Sequence, residues 1–204
     1  MISDGIDYAT FSAIQKTIEP GLIVSVGRIA SNKRVDHLLA AFQKVSARMP
    51  AASLVVVGRQ DDGDQDEIEA LVVQLGIQDR VLFTGAVSDA ELHSWLARAH
   101  LFALASEYES FGVSVLEAMS SGTVPVVNDI PPFRAAIRPG ETGFISDFGD
   151  ADRAAKTMLE ALSLDPDRLR EIGDRARASV RKYSWENVAA QLEQLYRRIV
   201  LENA

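Results

Sequence analysis

The sequence predicts a doubly wound α/β fold, a mainly parallel six-stranded sheet with helices on both faces and further helices at the C-terminal end. Three observations point there. Short runs of consecutive rather than alternating apolar residues recur along the chain, which is how parallel strands covered on both faces read. Between them lie stripes of apolar residues at helical spacing. From Asp150 onward only helical patterns follow.

The runs are LIVSV (22–26), SLVVV (53–57), RVLFT (80–84), LFALA (101–105), VPVVN (124–128) and a weaker GFIS (143–146). Val35, Leu38, Leu39, Phe42 and Val45 mark the helix after the first run, and Ile68, Leu71, Val72 and Leu75 the helix after the second. Ser88-Asp-Ala-Glu91 is a capping box that opens the helix carrying Leu92, Trp95 and Leu96. A further helix begins near Gly112 or Val113 and ends at Gly122. Repeated βαβ of this kind builds a Rossmann-like sheet. Of the closing helices, one carries Ala154, Met158 and Leu162, one follows Asp165-Pro166, and the last begins at Ser184. That last helix gathers Val188, Leu192, Leu195, Tyr196 and Ile199 on one face.

The totals limit what such a fold can do. With 204 residues, 47% apolar and 25% charged, the chain can bury a sizeable core. A net charge of −8 disfavours nucleic-acid binding, which needs a basic face. Cysteine is absent, so there is no disulfide framework or thiolate metal site, which fits a cytoplasmic protein. No apolar run approaches the ~18 residues of a membrane span, and the opening MISDGIDYATFS lacks a signal pattern. The acidic DDGDQDE (61–67) reads as a surface loop running into a helix; it lacks the glycine and the distal glutamate at the positions a calcium loop needs.

In an open parallel sheet, ligands bind outside the carboxyl ends of the strands. Three loops there carry chemistry. GRIASNKR (27–34) places Gly27, Arg28 and Lys33 ahead of a helix. Two cations there oppose the helix dipole and suit an anion such as a phosphate, or else are solvated surface charges. The glycine fingerprint of dinucleotide binding and the Walker lysine loop are both absent, which disfavours a dehydrogenase. Gly85-Ala-Val87-Ser88 could face a ligand edge or be a plain turn. The third loop leads into ESFGVSVLEAM (109–119), where seven residues separate Glu109 from Glu117. The amides of Gly112, Val113 and Ser114 would face outward at the helix start, ready for an anion. Carboxylates repel phosphate, so the two glutamates fit hydroxyls on either side of it. Taken singly, Glu117 is an ordinary helix residue and Glu109 an acid favoured by the dipole. Taken together with Arg28 and Lys33, they favour a diphosphate carrying a sugar at each end.

These motifs resemble the C-terminal, donor-binding domain of a GT-B glycosyltransferase, most closely the retaining family 4, or group 1. Its paired glutamates stand here as Glu109-Ser-Phe111-Gly112-Val113-Ser114-Val115-Leu116-Glu117-Ala118, and its G-R-x-x-x-x-K loop as Gly27-Arg28 to Lys33. Arg34 replaces a glycine common in the family. VLFTGAVSD (81–89), SGTVPVV (121–127), GETGFI (140–145) and YSWENVA (183–189) extend the similarity over nearly the whole chain. The resemblance implies that Arg28 and Lys33 bind the donor diphosphate and stabilise it as a leaving group, assisted by the amides of Gly112, Val113 and Ser114. It implies that Glu117 takes the ribose hydroxyls, that Glu109 holds the transferred sugar near its anomeric carbon, and that Val87 contacts the base through its main chain. It implies no metal and no cofactor beyond the nucleotide-sugar substrate; Asp147 and Asp150 are spaced wrongly for a D-x-D motif.

Residues 1–20 resemble the inter-domain linker region, which leaves 21–204 as one nucleotide-sugar-binding Rossmann-like domain. The expected partners are a sugar-nucleotide donor and the absent N-terminal acceptor domain, through which any membrane contact would come, at the inner face of the cytoplasmic membrane. The isolated domain is expected to bind donor without transferring sugar. The loop SNKR and the segment Ile130-Pro-Pro-Phe133 resemble bacterial exopolysaccharide mannosyltransferases, which implies GDP-mannose; a UDP-sugar is the other donor considered. The competing readings are a sugar-nucleotide epimerase of the same fold, which needs an acid/base pair from both domains, and a non-catalytic nucleotide-sugar-binding module. A glycosidase would need two carboxylates facing one bond.

Overall fold

A computed structural model describes residues 4–59 and 65–202. Residues 61–64 of the acidic run lie outside them. The six strands are β1 (Leu22–Val26), β2 (Ser53–Val57), β3 (Val81–Gly85), β4 (Leu101–Leu104), β5 (Val124–Asn128) and β6 (Phe144–Ser146). They form one sheet in the order β3-β2-β1-β4-β5-β6, and every neighbouring pair is parallel. β3 starts one residue later than the apolar run suggests because Gln78–Arg80 closes a 3-10 turn first. The ladder of β4 ends at Leu104, which pairs with Val127, before the chain leaves the sheet at Ala105.

Alternate residues of the strands feed opposite cores. Ile23, Leu54, Val56, Leu101 and Ala103 pack with Leu38, Leu39 and Phe42 of α2 (Val35–Arg48) and Met158 of α7 (Ala151–Leu162). Phe102, Leu104 and Val127 face the other way. They meet Val115, Leu116 and Met119 of α5 (Val113–Ser120), and Ala176 and Val180 of α8 (Pro166–Val180). Both faces are thus covered, which explains why these strands carry apolar residues on both faces, with polar ones such as Ser25 and Asn128 the exceptions. α3 (Gln65–Gln74) follows β2, and α4 (Asp89–Arg98) follows β3 behind the Ser88–Glu91 capping box.

The opening residues are tied to this body. α1 (Tyr8–Ser12) buries Phe11. The Ile6 amide donates 2.9 Å to the Tyr183 carbonyl, and the Trp185 amide returns 3.2 Å to the Ile6 carbonyl. Lys16 Nζ reaches inward to the Leu96 and Ala99 carbonyls and to Thr123 Oγ1, closing the C-terminal end of α4. Burial, with Arg177 nearby, pushes its ammonium pKa down to about 7. The last helices are α6 (Pro131–Ala136), lying between β5 and β6, and α9 (Trp185–Glu202). α9 packs through Val188 and then leaves Leu195, Tyr196, Ile199 and Val200 exposed. No helix among the described residues is long and apolar enough to cross a membrane.

Candidate functional site

The strand order turns at β1 and β4. From β1 the chain winds outward through β2 and β3; from β4 it winds the other way through β5 and β6. The helices that follow β1 and β4, α2 and α5, therefore go to opposite faces of the sheet, and the carboxyl ends of these two strands form a crevice, the usual ligand position in such sheets. The loops at those ends hold GRIASNKR and the first of the paired glutamates.

Gly27 ends β1 and donates 2.9 Å to the Val57 carbonyl. The close backbone approach at this strand end is made by Gly58: a Cβ there would lie 2.0 Å from the Gly27 carbonyl oxygen, whereas one on Gly27 would meet nothing nearer than Lys33 Cε at 3.8 Å. Arg28 is exposed. Ser31–Lys33 form a 3-10 turn, after which Arg34 takes a left-handed backbone, φ 47°, and α2 begins. That conformation is one glycine adopts freely and an arginine does not.

The two loops are laced together. The Glu107 amide donates 3.0 Å to the Asn32 carbonyl, and Asn32 Nδ2 donates 3.2 Å to the Tyr108 carbonyl. Lys33 Nζ donates to Glu109 Oε1 at 2.6 Å, with the two side chains only 17% and 12% exposed. Ser106 Oγ donates to the same Glu109 oxygen at 2.9 Å. Behind it, Asn128 Nδ2 holds the Ser106 carbonyl at 3.1 Å, and Asn128 Oδ1 accepts from the Phe148 amide at 3.0 Å. Sequence reasoning passed over Ser106, Asn32, Glu107 and Asn128. The signal available was polarity where it is costly, since Ser106 and Asn128 end fully apolar runs and are buried.

Gly112 caps α5 with φ 80°, and a Cβ there would lie 2.6 Å from Phe133 Cε1. Gly112, Val113 and Ser114 occupy the cap and first two positions of α5, where backbone amides lack helical acceptors. Glu117 stands further along α5, half-buried. Burial, together with the charges of Asp89 and Asp7, raises its carboxyl pKa to about 7. Glu109 faces Lys33 and Ser106, while the charges that act on Glu117 are those of Asp89 and Asp7. The two carboxylates thus occupy different surroundings. Val87 precedes the α4 cap, with its side chain packed on the sheet.

A family model described as glycosyl transferases group 1 matches residues 10–179. The chain is 29% identical over 195 residues to a GDP-mannose:cellobiosyl-diphosphopolyprenol alpha-mannosyltransferase of Xanthomonas oryzae pv. oryzae, covering 94% of this chain and 50% of that protein. It is 32% identical to a phosphatidyl-myo-inositol mannosyltransferase of Mycolicibacterium smegmatis, covering 97% and 51%. The chain spans about half the length of the curated relatives it matches. Among solved structures, it is similar to a sucrose-phosphate synthase from Thermosynechococcus elongatus, with a TM-score of 0.85, 26% identity and coverage of 98% and 52%. It shares the fold of the C-terminal domain of a group 1 glycosyl transferase from Francisella tularensis, with a TM-score of 0.75, 21% identity and coverage of 89% and 100%.

Proposed function

Because the chain belongs to the group 1 glycosyl transferases, we propose that it is the donor-binding half of a retaining, metal-independent GT-B enzyme that takes its sugar from a nucleoside diphosphate. The observation that carries this reading is the contact of Lys33 with Glu109 at the β1/β4 crevice, on the loop that leads directly into the α5 N-terminus. Departure of a nucleoside diphosphate concentrates negative charge on the diphosphate oxygens. Arg28, Lys33 and the amides of Gly112, Val113 and Ser114 supply positive charge and donors where that charge grows, and they do so in place of a metal. Carboxylates cannot share that role. Glu109, held by Ser106, accepts from hydroxyls of the transferred sugar, and Glu117 accepts from the ribose. The main chain at Val87, just ahead of the α4 cap, takes the base.

The relatives named as GDP-mannose-dependent mannosyltransferases support GDP-mannose as the donor. Acceptor binding and the remaining proton transfers belong to a second domain, so this chain by itself binds donor without turnover. Calorimetry with GDP, UDP and ADP tests the reading. GDP binds most tightly, and Lys33→Ala and Glu117→Ala each weaken it about tenfold or more, as loss of a charged hydrogen bond entails. Absence of binding by all three nucleotides would remove the donor-site assignment, and parental affinity in Glu117→Ala would remove its ribose role.

A further inference from the structure

Two costly features sit in one turn beside Lys33. Arg34 is the only non-glycine with positive φ among the described residues. Three residues on, His37 Nδ1 is buried and has no hydrogen-bond partner, while its Nε2 lies against the Arg34 guanidinium. A left-handed arginine and an orphaned imidazole nitrogen both oppose stability, and such features persist where function holds them. The side chain shows what the strained backbone achieves. Arg34 grips Asp36 through Nε at 3.0 Å and Nη2 at 2.8 Å, and its Nη1 reaches across to Glu107 on the loop after β4. Glu107 is two residues before Glu109, and Arg34 is next to Lys33. The ion pair therefore spans the crevice one step outside the Lys33–Glu109 pair.

We propose that Arg34 and Glu107 are positioning residues: their ion pair fixes the separation of the two loops and so sets Lys33 and Glu109 for the donor diphosphate and sugar. This rests on the donor-site reading above. A surface ion pair alone contributes little stability, so its effect falls on geometry. Arg34→Gly separates the two. Glycine adopts the left-handed conformation freely, so the variant melts at or above the parent temperature. It nonetheless binds GDP about tenfold more weakly, and the Glu107 amide, bonded to the Asn32 carbonyl in the parent, exchanges with solvent about tenfold faster. Glu107→Gln, which leaves the Arg34 contacts to Asp36 and His37 in place, shows both losses, and the double variant Arg34→Gly/Glu107→Gln shows no more than Arg34→Gly, because the ion pair with Glu107 is already absent there.

Parental affinity and exchange in Arg34→Gly overturn the proposal, as do losses that multiply in the double variant. The exchange measurement decides the positioning role even if no nucleotide binds the parent, an outcome that would instead remove the donor-site reading.

Discussion

Lys33 Nζ lies 2.6 Å from Glu109 Oε1, across two loops whose residues stand 76 apart in sequence. The pair joins the group proposed for the diphosphate to the group proposed for the sugar. Donor binding must therefore share Lys33 between Glu109 and a phosphate. Glu109→Gln removes the competitor. It should tighten bare GDP about threefold, since an unpaired, half-buried cation gains more from a phosphate. It should weaken the preference for GDP-mannose over GDP, because the sugar hydroxyls lose a charged acceptor. Competition calorimetry reads both; unchanged values for the two ligands would contradict the shared-lysine account.

Glu117 carries a pH signature. Its folded pKa, about 7, lies above the ordinary 4.5 because the carboxyl is buried near Asp89 and Asp7. The folded state thus holds this proton more tightly than the unfolded one. The stabilisation is complete below about 4.5 and is lost as pH rises to about 7. Glu117→Gln, which stays neutral, should therefore be more stable than the parent at pH 8, by roughly 1–3 kcal/mol, with the gain fading toward pH 4.5. Urea denaturation at both values checks the sign.

Lys16 gives the mirror case. Its folded pKa is lowered to about 7, so its charged form is disfavoured on folding. The resulting penalty is full below about 7 and disappears as pH rises toward the unfolded lysine value near 10.5. Parent stability should climb with this group across that range, and Lys16→Met should flatten the climb. At neutral pH the methionine variant also loses the donors to Leu96, Ala99 and Thr123, so the slope with pH, rather than the absolute stability, is the diagnostic.

Gly58 and Gly112 test how the crevice is built. A methyl on Gly58 meets the Gly27 carbonyl at 2.0 Å, where both partners are backbone. Gly58→Ala should cost about 3 kcal/mol or more. A methyl on Gly112 meets Phe133 at 2.6 Å from φ 80°. Gly112→Ala should cost roughly 2 kcal/mol and, by displacing the start of α5, should also abolish measurable GDP binding. Urea melts and calorimetry on the two variants separate framework from ligand contact.

The sheet was legible because parallel strands covered on both faces leave continuous apolar runs, and because Ser88 and Gly112 punctuate helix starts. The order of strands was not read from those runs, and with it went the reason that the loops after β1 and β4 share a crevice. Lys33, Glu109 and Glu117 stood out by type and spacing. Their partners did not: Lys33 and Glu109 meet only once β1 and β4 are neighbours, and Ser106 and Asn128 look like ordinary strand ends until their burial is known. The left-handed Arg34 was hidden too, since an arginine in a sequence signals nothing of its φ.

The central claim is that the diphosphate rests between Lys33 and the amides opening α5. Titrating the isotopically labelled chain with GDP, and following backbone amide resonances, tests it most directly. The account predicts saturable downfield shifts at Gly112, Val113 and Ser114, strongly weakened in Lys33→Ala. Saturable binding that leaves those three amides unmoved, or shifts that persist unchanged without Lys33, would contradict it.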